Sequence, residues 1–77
     1  MSVHVKYFAS LRETIGRSSD EISITGPATV EEIWQQTTRG MQRPERVLVA
    51  INQEYADFAQ VVNDGDEVAF FPPVTGG

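Results

Sequence analysis

Seventy-seven residues, no cysteine and a net charge of -5 bound what this chain can be. So short a chain folds as one small domain with a limited core, which leaves little room for an internal catalytic cleft; the missing thiols exclude a disulfide framework, a thiolate metal site and a cysteine nucleophile or persulfide. Six Lys and Arg are dispersed against eleven Asp and Glu, so nucleic acid is a poor partner and a basic protein surface a better one; the opening MSVHVK has no apolar run for a signal peptide or membrane span, the pattern of a soluble cytoplasmic protein.

Val3, Val5, Tyr7 and Ala9 alternate with His4, Lys6 and Phe8, the period-2 pattern of a half-buried strand with the first set facing the core. Ser10 to Gly16 predicts a short helical turn closed by the glycine, and Ser18-Ser19-Asp20 a loop. Alternation resumes from Glu21 to Thr25, with Ile22 and Ile24 inward, until Gly26-Pro27 breaks it. The clearest helix signal follows. Thr29 and Glu32 form a capping box, Glu31 and Glu32 complement the helix dipole, and Val30, Ile33, Trp34 and Thr37 mark one apolar face. Arg39 and Gly40 are stop signals, and Pro44 prevents continuation.

Val47 to Asn52 reads as a strand, with Val47, Val49 and Ile51 on one face and Leu48, Ala50 and Asn52 on the other. Gln53 to Val62 is less regular. Asn63-Asp64-Gly65-Asp66 is a turn leading into a last strand, Glu67 to Phe71, whose Val68 and Phe70 point inward. Strands, one well-capped helix and further strands make an α+β order in which a single helix covers one side of a sheet.

Behind that strand the chain ends FFPPVTGG. Pro72-Pro73 cannot continue a hydrogen-bonded strand and favours extended geometry; residues 72 to 77 would reach roughly 18 Å at about 3.1 Å per residue, far enough to enter another protein's active site. Gly76 and Gly77 lack a Cβ, so such a site could close around the backbone beside the terminal carboxylate, the expected working group. The bland alternative is a frayed terminus. Other singled-out residues have ordinary readings: His4 as a solvated side chain, Trp34 as core, Asp64-Gly65-Asp66 as a turn that lacks the ligand spacing of a calcium loop. No metal site, phosphate loop or catalytic triad is expected.

Tyr7-Phe8-Ala9-Ser10-Leu11-Arg12-Glu13 with Gly16, the helix start Thr29-Val30-Glu31, the strand Val49-Ala50-Ile51-Asn52 and the ending DGDEVAFFPPVTGG together resemble the sulfur-carrier subunits of molybdopterin synthase. The resemblance implies a β-grasp, or ubiquitin-like, mixed sheet covered by one main helix over residues 1–71, with an extended tail over 72–77. It implies a chain that is not catalytic alone and binds no cofactor. An adenylating partner resembling a ubiquitin-activating enzyme would use ATP to join AMP to the Gly77 carboxylate, and a sulfur donor protein would displace AMP to leave a thiocarboxylate. The tail, with Gly76 easing access, would then enter the synthase large subunit, in a heterotetramer of two small and two large chains, and give sulfur to cyclic pyranopterin monophosphate. Phe8 and Phe71, outward by alternation and close together if the first and last strands are parallel neighbours, match positions of an apolar docking patch. Tyr55 matches a third position that is usually aliphatic, and Pro72, Pro73, Val74 and Thr75 of the tail would contact the partner. Two alternatives stay open: a carrier for another sulfur pathway such as thiazole synthesis, or a modifier conjugated through the same terminus. A β-grasp binding module whose tail does no chemistry is a third.

Overall fold

The computed structural model of the protein describes residues 2–39 and 46–73. Its strands are β1 (Ser2–Tyr7), β2 (Ser19–Ser23), β3 (Ala28–Thr29), β4 (Leu48–Ile51), β5 (Glu54–Ala56), β6 (Val61–Val62) and β7 (Glu67–Phe71); its helices are α1 (Ser10–Ile15) and α2 (Val30–Thr38). Five strands form one sheet in the order β2-β1-β7-β4-β5, and β3 and β6 form a small second one. β1 and β7 pair in parallel, with Tyr7 opposite Phe70, while the other pairings of the main sheet are antiparallel. A parallel first and last strand at the centre of a mixed sheet, crossed by one main helix, is the β-grasp arrangement the sequence implied.

Alternation decides which sheet face meets that helix. Val3, Val5 and Tyr7 of β1, Val49 of β4 and Val68 and Phe70 of β7 are buried with Val30, Ile33 and Trp34 of α2. Trp34 meets Phe70 edge-on at 5.0 Å between centroids, and Phe70 also stacks with Phe58 at 5.8 Å and Tyr7 at 6.2 Å. Aromatic pairs at these separations add to what area burial alone contributes.

The start of α2 shows where its orphan amides go. Thr29 Oγ1 accepts from the Glu32 amide at 3.2 Å, the expected half of the capping box, while the Val30 and Glu31 amides donate to the carbonyls of Gln60 and Phe58. At the other end Arg39 itself takes the left-handed conformation, φ 56° and ψ 42°, and its amide bonds Gln35 O. Gly40 and Pro44, the other stop signals, lie outside the described residues.

Three sequence expectations need correction. Ala9 does not continue the core face of β1: the strand ends at Tyr7, and Ala9 is exposed at φ 54°, ψ -133°, where the chain reverses into α1. That conformation belongs to glycine and costs an alanine on the order of 1–3 kcal/mol. Ser19 and Asp20 are not loop but the start of β2, paired with Lys6 and Val5, because an antiparallel ladder accepts polar residues on an edge strand. The stretch from Gln53 to Val62 contains β5 and β6. Its turn signal was hidden because Asn52 and Gln53, rather than Asn-Gly, supply the two positive-φ positions of the β4–β5 hairpin, at φ 51° and 71°.

Candidate functional site

The outward face of the sheet is built by the same alternation that fills the core. His4 and Lys6 project from β1, Glu67, Ala69 and Phe71 from β7, and Leu48 and Ala50 from β4, where Leu48 lies opposite Phe71 and Ala50 opposite both Ala69 and Tyr55. Charge holds one end of this face. Lys6 Nζ lies 3.5 Å from Glu67 Oε1, and His4 Nε2 lies 3.3 Å from Glu21 Oε2.

The other end, where β7 gives way to Pro72, is apolar. Phe8 follows β1 directly and is 47% exposed, Leu48 is 37% exposed and Tyr55 80%, while Phe71 is half-buried with its ring 5.9 Å from that of Tyr55. Continuing the parallel register by one residue sets Phe8 beside Phe71, and the Phe8 amide donates to Phe70 O at 3.1 Å. These aromatic and aliphatic side chains are grouped at one strand end rather than scattered. Leu48 was not singled out from sequence. Its outward position on a strand was legible, but its neighbours depended on β4 pairing with β7.

Pro72 and Pro73 are half-buried, so the first residues after β7 still rest on the body of the protein. Val74, Thr75, Gly76 and Gly77, the remaining candidate site residues, lie outside the described residues. The turn at Asp64-Gly65-Asp66 is tied to structure: Asp64 Oδ1 accepts from the Ser2 amide at 2.7 Å, Asp66 accepts from the Asn63 amide and from Asn52 Nδ2, and Gly65 takes φ 84°. Among the described residues no helix is long and apolar enough to cross a membrane.

Fold and surface together define a β-grasp protein of the ubiquitin-like class, with an apolar patch where the last strand leads into the C-terminal residues. The chain belongs to the ThiS family, whose model matches residues 5–77. It is 40% identical over 81 aligned residues to the molybdopterin synthase sulfur carrier subunit of Escherichia coli K12, covering 97% of this chain and 99% of that protein. Among solved structures it is similar to SAMP1 from Haloferax volcanii, with a TM-score of 0.80, 28% identity and full coverage of both chains. It is also similar to a chain of the complex of subunits 1 and 2 of the molybdopterin-converting factor from Helicobacter pylori, with a TM-score of 0.67, 25% identity and full coverage of both.

Proposed function

We propose that this chain is the sulfur carrier of a molybdopterin synthase, and that its sulfur rides as a thiocarboxylate on Gly77. The observation that carries the reading is the end-to-end match to the Escherichia coli carrier subunit. The patch of Phe8, Leu48, Tyr55 and Phe71 supports it, since it lies where a partner receiving the tail would have to dock. The Helicobacter pylori complex supports a large subunit as that partner.

The chemistry follows from what a carboxylate lacks. Its oxygen is a poor leaving group, so a partner must first activate it: a Gly77 oxygen attacks the α-phosphorus of ATP, pyrophosphate leaves, and a persulfide of the donor protein attacks the resulting acyl adenylate and expels AMP, after which a thiol cleaves the sulfur–sulfur bond to the donor and frees the thiocarboxylate. With no cysteine, the chain has no thiol of its own to trap the activated acyl group. Pro72 and Pro73 restrict the tail before it enters the large subunit, which reduces the ordering entropy lost on insertion. Val74, Thr75 and Gly76 carry the end of the tail into the large subunit, where the thiocarboxylate sulfur bonds to a carbon of cyclic pyranopterin monophosphate and water then cleaves the Gly77 acyl–sulfur bond, returning the carboxylate.

Incubation with the cognate adenylating enzyme, ATP and a sulfur donor protein should replace one oxygen of the protein by sulfur, read by intact mass. An unchanged mass with demonstrably active partners refutes the reading. Deleting Gly77 should abolish transfer at every concentration of large subunit while leaving the thermal midpoint unchanged.

A further inference from the structure

The bend after β1 is made by a residue poorly suited to it. Arg39, another non-glycine residue at positive φ, sits in the ordinary left-handed well at ψ 42°, but Ala9 at φ 54°, ψ -133° lies outside that well, at the first central position of a type II′ turn. As the cap of α1 its side chain makes no hydrogen bond, and its methyl is exposed. Neither capping nor burial accounts for the conformation. What it does accomplish is local: the chain reverses immediately after Phe8, so that the Phe8 amide donates to Phe70 O at 3.1 Å and the Phe8 carbonyl accepts from the Leu11 amide at 3.2 Å. Both backbone groups of an exposed aromatic residue are thereby fixed, and the Arg12 amide locks the turn by donating to Ala9 O at 3.1 Å.

We infer that Ala9 is a positioning residue for docking: its strained turn holds Phe8 in place beside Phe71, ready for the large subunit. Strained backbone at a functional surface persists where the surrounding structure over-determines it, and a pre-ordered anchor avoids an ordering cost on binding. The inference rests on the proposed carrier function for its partner, but not for its local geometry.

The test uses Ala9→Gly, which accepts the turn without strain, and Ala9→Val, whose branched Cβ rejects positive φ. Ala9→Gly should bind the large subunit within about twofold of the parent. Ala9→Val should bind about tenfold or more weakly, yet in a Phe8→Ala background the same substitution should change affinity less than about twofold, because the effect acts through Phe8. Amide exchange at Phe8 should quicken in Ala9→Val while exchange at Val5 in mid-strand does not. If Ala9→Val does not fold, Ala9→Thr serves, since it keeps the branched Cβ and adds a capping oxygen to offset the loss. An equal loss of affinity in both backgrounds, or unaltered Phe8 exchange, overturns the inference. Should the parent protein itself fail to bind the large subunit, the proposed function falls, and Phe8 exchange alone still decides whether Ala9 pins Phe8.

Discussion

Phe71 is half-buried against Tyr55, whereas Tyr55 is 80% exposed, so truncating the two rings separates docking from folding. Tyr55→Ala should leave stability within about 0.5 kcal/mol and still weaken large-subunit binding; Phe71→Ala should cost about 2 kcal/mol or more of binding as the more enclosed anchor. Calorimetric titration alongside thermal melts checks both, and a Tyr55→Ala variant that binds like its parent would end the patch at Phe71. Phe8 and Phe71 were legible in sequence as outward residues because a period of two needs no knowledge of partners. Leu48 was not legible as part of the patch, since its neighbour across the sheet is twenty-three residues away and is chosen by pairing register. Ala9 was misassigned for a related reason. Its residue type fits the strand pattern, and only the chain reversal shows where that pattern stops.

Between elements, Arg17 acts as a tie. Its Nε donates to Asp20 Oδ2 at 2.8 Å in β2 and a terminal nitrogen donates to Thr37 O at 2.7 Å, in the last turn of α2, where a cation also complements the helix dipole. The bond to Asp20 is the main cause holding the guanidinium pKa above its ordinary value. Arg17→Ala should lower stability by about 1 kcal/mol, a modest figure because the side chain is partly exposed, and Arg17→Lys should recover only part, since a point charge cannot span both acceptors. Denaturant titration of the three proteins measures this. Replacing Pro72 and Pro73 by glycine should add an ordering cost on the order of 1 kcal/mol to insertion of the tail, read by titrating the large subunit and recoverable at its high concentration. Inactivity at saturation would give the prolines a direct part in aligning the proposed thiocarboxylate. α2 was read closely from sequence because its cap, apolar face and stop signal are all local. β5 and β6 were missed because each is held by a distant strand or by an unusual turn, and three residues cannot show a period.

For the molecule as a whole, Tyr7 links stability to pH. Its ring is buried against Phe70 and its hydroxyl donates to Asp20 Oδ2 at 3.0 Å; burial is the largest cause raising its pKa above 10.0, with the Asp20 bond and charge adding to it and Thr37 and Arg17 opposing. The protonated phenol therefore favours the folded state, and its contribution is complete below pH 10.0 and lost as pH rises through the higher folded value. The thermal midpoint should fall more steeply above pH 10.0 in the parent than in Tyr7→Phe, which should itself be less stable at neutral pH by about 1 kcal/mol through the lost hydrogen bond. Parallel slopes would show that Tyr7 does not carry the alkaline limb. The class of fold, the inward set of β1, α2 and β7 and the resemblance to sulfur carriers were determined by sequence alone, because alternation, helical period and end signals are properties of neighbouring residues. Only the tertiary structure decided which strand ends meet, how Phe8, Leu48, Tyr55 and Phe71 form one surface, and that Ala9 must turn the chain beside it. Those depend on register between segments far apart in the chain, and register is fixed by the packing of the whole sheet on α2.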